Sequence, residues 1–186
     1  MIQNDLLGII FDFIEIKIDN NKIEKIKYNK NLTKKIKKVK LLKNSINENL
    51  KYLSNLKVLK CDENDFITNE GLKSVPKLKK FYCWKNKNFT DEGLKYLPNL
   101  KELICGYSIN KNFTDKGLKY LPNLQGLWCG NNNNFTNKGL KYLPNLGIMG
   151  CGENIMFNDE GLKYLPNLKV LDCDENEDFT DEGLKY

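Results

Sequence analysis

Six cysteines are the side chains of this sequence with the widest chemical range, and successive cysteines lie 22 or 24 residues apart. A cysteine can act as a nucleophile, a metal ligand or half of a disulfide. The sequence contains no histidine. Because histidine is the commonest general base and metal ligand, His-based catalytic sites and most zinc sites are excluded. The cysteines are Cys61, Cys83, Cys105, Cys129, Cys151 and Cys173.

The cysteines belong to an internal repeat. The phrase FTDEGLKYLPNL, complete, shortened or slightly changed, occurs six times, and such a period of 20–50 residues is typical of stacked repeat units. Leucines and an asparagine recur around each cysteine, as in Leu124, Leu127, Cys129 and Asn132. The copies of the phrase begin at Ile67, Phe89, Phe113, Phe135, Phe157 and Phe179.

These spacings resemble the leucine-rich repeat family, in the variant whose units carry I/F-T-D-x-G-L. The resemblance covers about residues 13–186, with eight coils that start near 13, 36, 56, 78, 100, 124, 146 and 168. It implies an α/β fold: a right-handed solenoid with a parallel sheet on its concave face and short helices on its convex face. Residues 1–12 are predicted to form an amphipathic helix that caps the first coil.

The residues themselves support this organisation. Around Leu59 and Cys61 apolar and polar side chains alternate, which predicts a strand. In the phrase, Thr90 or Asp91 can cap a short helix, and Pro98 is expected to end it. The recurring asparagines, such as Asn132, are predicted to form a buried ladder that satisfies the turns of their own and the next coil. Similar patterns place Asn21 and Asn44 at this point in the first two coils.

Two interpretations of the cysteines are open at this stage. Each cysteine occupies a position that the repeat assigns to a buried apolar side chain, where Cys behaves as a small hydrophobe. Neighbouring parallel strands lie about 4.8 Å apart, so distance alone permits a disulfide, but the side chains point in parallel directions. We predict reduced core thiols and keep disulfides or a metal as the alternatives.

Functional residues are expected where the repeats differ, on the strand positions that face away from the core. Both tryptophans fall there, and exposed aromatic clusters on a concave surface are typical of protein-binding hot spots. Drift in a repeat array is the competing explanation. The glycines at 106, 126, 130, 147, 150 and 152 are expected to leave part of this floor bare. The predicted partner-binding residues are Tyr82, Trp84, Ile104, Tyr107, Trp128, Asp172 and Asp174.

Charge is unevenly distributed, because the lysines concentrate in the first third of the chain. Nine of them lie between Lys25 and Lys43. Such a run could bind nucleic acid or acidic lipid, but it has no arginine and few aromatic neighbours, so we predict a solvated convex face. Residues 4–14 resemble the opening helix of an F-box, which docks onto the adaptor of a ubiquitin ligase, although its opening Leu-Pro is missing. The simpler interpretation is the cap.

The sequence therefore predicts a non-catalytic module that binds a partner protein on its concave face, with an F-box-like substrate receptor as the alternative. We expect no cofactor, no metal and no small-molecule substrate, since no phosphate-binding loop or converging carboxylate pair is present. A cytoplasmic location is expected from the lack of a basic leader or an apolar span of about 18 residues. Heavy use of Asn, Lys and Ile suggests an AT-rich genome such as that of an amoeba or a giant virus. Self-association through an uncapped C-terminal end is a further expectation.

Overall fold

The computed structural model describes residues 15–42, 45–106 and 112–185. Eight strands form one parallel sheet in which the spatial order is the order along the chain. Each coil therefore contributes one strand and passes to its neighbour, as the repeat predicts. The strands are β1 Ile16–Ile18, β2 Lys38–Leu41, β3 Val58–Lys60, β4 Lys80–Tyr82, β5 Glu102–Ile104, β6 Gly126–Trp128, β7 Ile148–Gly150 and β8 Val170–Asp172.

Short helices line the opposite face. Most have four residues, and each packs against the helix of the next coil. Two longer helices occupy the first described coil, and a 3-10 helix, Gly183–Lys185, follows the last strand. The helices are α1 Asn20–Ile26, α2 Lys30–Lys35, α3 Asn47–Leu50, α4 Asn69–Leu72, α5 Asp91–Leu94, α6 Asp115–Leu118, α7 Asn137–Leu140 and α8 Asp159–Leu162.

The core lies between the two faces and follows the sequence pattern. On β6 the side chain of Leu127 is fully buried, and Cys129, two residues on, is also 0% exposed. Phe135 and Leu140 close the same coil from the other side and are equally buried. All six cysteines are free thiols, five of them buried and Cys173 partly exposed, which agrees with the prediction of reduced core thiols.

The helices begin where the sequence predicts but end earlier. Thr114 is the N-cap of α6, and its side chain accepts a hydrogen bond from the amide of Lys116. Helix α5 ends at Leu94, so the prediction that Pro98 terminates it is wrong. After Leu94 the chain makes successive tight turns with bonds between residues three apart, such as Leu97 N–H to the Leu94 carbonyl (2.9 Å).

The glycine inside each helix is required by close approach between coils. The carboxylate of Asp91 accepts from both the amide (2.8 Å) and the hydroxyl (2.7 Å) of Thr114 in the next coil. A Cβ on Gly117 would collide with this carboxylate. Asp115 and Thr136 repeat the arrangement. The recurring Thr-Asp-x-Gly motif therefore encodes one contact between neighbouring helices. The Asp of one coil bonds the Thr of the next coil and lies against its Gly.

A ladder of buried asparagines joins the coils on the sheet side. Asn154 Nδ2 donates to the carbonyls of Asn132 (2.7 Å) and Phe135 (3.4 Å). Its Oδ1 accepts from the Met156 amide in its own coil (2.9 Å). The ladder was predicted, but its amide groups reach the preceding coil and not the next one. Its buried members are Asn64, Asn86, Asn132, Asn154 and Asn176.

The first coils depart from the sequence expectation. Asn21 is exposed within α1, so it is not the counterpart of the ladder asparagines. In the second coil the buried Ser45 takes that role, and its hydroxyl donates to the Ile18 carbonyl (2.8 Å). Asp19 is the N-cap of α1. The predicted cap at residues 1–12 and the residue Asn44 lie outside the described residues.

The lysine-rich segment is divided between the faces. Lys25, Lys30 and Lys34 belong to the helices and are exposed. Lys38 and Lys40 belong to β2, and Lys40 is exposed in line with the concave strand positions. The prediction of a solvated convex face therefore holds for the helical part of the run and is wrong for its strand part.

Candidate functional site

The outward-facing strand positions form continuous rows because every strand pairs in the same register. The central row places the residue before each cysteine beside its counterpart in the neighbouring coil. Two residues further on, a second row contains Asp62, Trp84 and Asp174. The central row runs Lys17, Lys40, Lys60, Tyr82, Ile104, Trp128, Gly150 and Asp172. Basic residues thus occupy one end of the face and an acid the other.

A groove of about 650 Å³ lies over β4 to β8 on this face. We call it the concave groove. Six of the seven predicted partner-binding residues line it: Tyr82, Trp84, Ile104, Trp128, Asp172 and Asp174. The seventh, Tyr107, lies outside the described residues. The remaining lining residues are Glu102, Gly106, Gly130, Gly150, Gly152, Glu153 and Glu175.

The apolar side of the groove consists of Tyr82, Trp84, Ile104 and Trp128, all of them half-buried. We call these four residues the apolar cluster. The Trp84 amide donates to the Asp62 carboxylate of the preceding coil (3.0 Å), which holds the chain at Trp84 in place. Burial raises the pKa of Asp62. Because these large side chains are half-buried, their neighbours already hold them in place. Their exposed surfaces can therefore contact a partner with little loss of side-chain freedom on binding.

Two lysines are already placed on the aromatic rings of this cluster. The Lys60 ammonium lies 5.1 Å from the centroid of the Tyr82 ring, and Lys85 lies 4.0 Å from that of Trp84. Lys60 also pairs with Glu15 (2.7 Å). Cations over aromatic faces are attracted by the ring quadrupole. Two rings of the apolar cluster, those of Tyr82 and Trp84, are therefore already in contact with a cation of the same chain.

The prediction that glycines leave part of the floor bare is wrong at Gly126 and Gly150, where a Cβ would collide with the indole of Trp128. In the second row, a Cβ on Gly130 would come within 2.9 Å of the Gly152 carbonyl oxygen. The second-row glycines therefore permit close packing of successive turns, whereas Gly126 and Gly150 make room for the indole. The second-row glycines also line the groove: Gly106, Gly130 and Gly152.

The opposite side of the groove is acidic. Asp172, Asp174 and Glu175 come from the last strand and the turn after it. All three are exposed, and we call them the acidic triplet. Glu102 on β5 and Glu153 after β7 add two further carboxylates to the lining. The predicted binding residues include the two aspartates, whereas the three glutamates are not among them.

Two of the three glutamates reach the groove through an uncommon backbone geometry. Glu153 and Glu175 both have φ of 60°, a left-handed conformation that non-glycine residues rarely adopt. Equivalent residues in three other coils share it, among them Asn131 with φ of 61°. The geometry is stabilised by the sheet, since the Glu153 amide donates to the Asp174 carbonyl (3.0 Å). The sequence carries no glycine or proline at these positions to signal the turn.

The thiols beneath the groove are poorly placed for chemistry. Burial raises the pKa of Cys105 to about 12. Burial, aided by the nearby Cys173 and Asp172, raises the pKa of Cys151 to about 12 as well. Since the thiolate is the reactive form, these thiols stay protonated and shielded near neutral pH. Among the described residues no group of three or more potential ligands is arranged to hold a metal ion.

Comparison with solved structures decides the fold. An internalin, InlF, from Listeria monocytogenes superposes with a TM-score of 0.62 at 21% identity, over 86% of this chain and 47% of that chain. Rad7, in a yeast complex with Elc1, gives a TM-score of 0.59 at 16% identity, over 78% and 44% of the two chains. The fold is a leucine-rich repeat solenoid. The predicted fold class is thereby confirmed.

This leucine-rich repeat solenoid spans less than half the length of either structural neighbour. No family model matches the chain, and no curated protein matches it either. The amoebal or viral origin and the cytoplasmic location stay predictions. In the part of the chain that the structure describes, the helices are too short or too polar to cross a bilayer.

Proposed function

We propose that the solenoid is a non-catalytic protein-binding module and that the concave groove holds its partner. One observation carries this proposal: the structure gathers six of the seven residues singled out by repeat variation into a single groove of about 650 Å³. The apolar cluster at its centre is half-buried, and clustered Trp and Tyr residues are typical of binding hot spots. Constant register would align any residues at these positions, so it is the residue types that disfavour drift, since they include both tryptophans of the chain.

The likeness to other solenoids supports the same class of function. Rad7 was solved in complex with another protein, Elc1. The strongest candidate nucleophiles, the six thiols, have pKa values raised by burial. Both facts favour binding over catalysis.

The experiment compares a groove variant with a matched convex variant. Trp84→Ala/Trp128→Ala removes both indoles from the groove. Tyr142→Ala/Tyr164→Ala removes two exposed convex rings, each of which has a lysine over it. Each protein is used for affinity purification from the native cells, and its thermal unfolding is recorded.

The groove variant is expected to lose its co-purifying partners at least ~10-fold, since central aromatic hot spots contribute about 2 kcal/mol or more each. The convex variant should retain them. Both variants should stay folded, because the removed side chains are partly exposed. If the wild type and the folded groove variant recovered the same amount of partner, this result would contradict the proposal.

Adaptor docking through residues 4–14 lies outside the described residues and stays a prediction. Self-association through the last coil also stays a prediction. There Leu168 and Leu171 are only partly buried, whereas Leu146 and Met149 of the preceding coil are fully buried. The expectation that nucleic acid and acidic membranes are not partners is likewise untested.

A further inference from the structure

Among the residues that the structure describes, the lining of the concave groove has one sign of charge. Five of the described lining residues carry a carboxylate and none is a lysine. Glu102 is compensated by Lys80 (2.7 Å), and Glu153 accepts a hydrogen bond from Asn131 (3.1 Å). The acidic triplet differs from these two, since within residues 15–42, 45–106 and 112–185 it makes no ion pair. Three exposed carboxylates therefore face the groove without a cation from the described part of the chain.

The aromatic ring of Trp128, which lines the same groove, also lacks a cation among the described residues. Every other tyrosine or tryptophan that the structure describes has a lysine ammonium 4.0–5.5 Å from its ring centroid. Trp128 has none among the described lysines. Its indole lies against Gly126 and Gly150 and lines the concave groove. Tryptophan is the aromatic side chain that attracts cations best.

The ring and the carboxylates are within reach of a single side chain. Trp128, Gly150 and Asp172 are register neighbours on β6, β7 and β8. Two strand spacings of about 4.8 Å separate the backbone at Trp128 from that at Asp172. The residue between them is a glycine, and the indole of Trp128 occupies the space beside it, so the ring itself extends toward Asp172. A lysine or arginine lying on the indole would point its charged head toward the triplet.

The length of the groove fits an extended segment. From Tyr82 to Asp172 the central row crosses four strand spacings, or about 19 Å. An extended chain rises about 3.3 Å per residue, so about six residues fill this distance. The apolar cluster would hold an uncharged side chain at one end, and the acidic triplet would hold a basic one at the other.

We propose that the occupant is an extended segment of a partner protein, about six residues long, with a lysine or arginine seated on Trp128. Its cationic head pairs with Asp172 and Asp174, and an apolar side chain of the same segment lies between Tyr82, Trp84 and Ile104. This inference rests on the proposed function and adds the chemistry of the ligand. A desolvated cation that meets both an aromatic face and carboxylates gains more than it would from either alone.

The test is a selection of random peptides displayed on phage, carried out with the wild-type protein. The selected peptides are expected to share a lysine or arginine and an apolar residue. The consensus peptide is then synthesised and titrated into a Trp84→Phe variant. Because the chain has two tryptophans, its fluorescence then reports Trp128 alone, and the peptide should change that signal.

An acid-neutralised variant, Asp172→Asn/Asp174→Asn/Glu175→Gln, is the decisive comparison. It should bind the consensus peptide at least ~10-fold more weakly, because truncating charge-assisted pairs chiefly raises the dissociation rate. Higher salt should weaken wild-type binding and have a smaller effect on this variant.

The matched control removes the same number of charges from the convex face. Its substitutions are Glu70→Gln, Glu92→Gln and Glu160→Gln, at carboxylates that pair with neighbouring lysines. Its affinity for the peptide should stay within about twofold of wild type, since surface pairs contribute little.

Three results would overturn the inference. The consensus could lack a basic residue, or the acid-neutralised variant could bind it as well as the wild type does. Sedimentation could also show that the wild type is a dimer and the acid-neutralised variant a monomer. The occupant of the groove would then be the lysine-rich coils of a second copy. If partner binding needs Trp84 and Trp128 while the peptides carry no positive charge, the proposed function stands and only this inference fails.

Discussion

At the residue scale, buried polar side chains do as much to define this molecule as its leucines. Asn154 is 0% exposed, yet its amide makes hydrogen bonds to three backbone groups in two coils. The turns leave the sheet at this point, so backbone groups that lose their strand partners are satisfied by the side chain. A buried polar group without such partners costs more than a made hydrogen bond contributes.

We expect Asn154→Ala to lower the free energy of unfolding by about 1–3 kcal/mol, because the carbonyls of Asn132 and Phe135 lose their donor inside the core. Asn145→Ala is the matched control, since Asn145 makes a bond of 2.9 Å to the Pro122 carbonyl on the exposed surface. Its cost should be about 0.5 kcal/mol or less, because water replaces the bond. Urea unfolding measures both, and equal losses would contradict the ladder as a source of stability.

At the scale of the elements, four-residue helices cannot be stable by themselves. From α4 onward, each is held by a side chain of the preceding coil. Asp115 accepts from the amide and hydroxyl of Thr136, the N-cap of α7. In an equivalent pair the residue is Asn69, which accepts from the Thr90 amide (3.1 Å) and donates to its hydroxyl (2.8 Å). Aspartate and asparagine are interchangeable here because both supply the oxygen that the N-cap amide needs.

Asp115→Ala is expected to destabilise the fold by about 1–2 kcal/mol, in the range of a lost helix cap. Asp115→Asn keeps the acceptor and should cost less than about 0.5 kcal/mol. Thermal unfolding of the two variants makes the comparison. A similar loss from alanine and asparagine would mean that the negative charge, and not the hydrogen bond, holds the helix.

At the scale of the whole molecule, stacking of the coils aligns equivalent residues of successive coils in columns. The thiols form one such column through the core, and every one of them has a pKa raised mainly by burial. The folded chain therefore keeps thiol protons that the unfolded chain releases. This contribution to stability is fully present below the unfolded pKa of about 9 and is lost as pH rises above it.

Between pH 9 and pH 12 the solenoid should become progressively less stable. With folded pKa values of about 12, Cys105 and Cys151 should each lower the free energy of unfolding by about 1–1.5 kcal/mol at pH 10. Urea midpoints recorded from pH 7 to pH 10 measure the decline. A Cys105→Ala/Cys151→Ala variant should decline less steeply, because lysine titration is common to both proteins. Parallel declines would show that the thiols do not contribute.

Repeat patterning and tertiary packing account for different parts of the site. Tyr82, Trp84, Ile104 and Trp128 were predictable, because a repeat of constant register places equivalent residues side by side. Glu153 was not, since its side chain reaches the groove through a left-handed turn that the sequence does not mark. The position of the Trp128 indole against Gly126 and Gly150 depends on packing between two strands, which no linear spacing encodes.

By itself, the sequence determined the eight-strand solenoid, the reduced core thiols and most of the groove. It could do so because the same packing contacts recur in every coil, so the residues that make them recur with the period of the sequence. The tertiary structure decided the direction of the asparagine ladder, the early end of the helices, the substitution of Ser45 for an asparagine and the position of the Trp128 ring, which no described lysine covers. These depend on contacts between neighbouring coils, whose distances and orientations exist only after the chain is stacked.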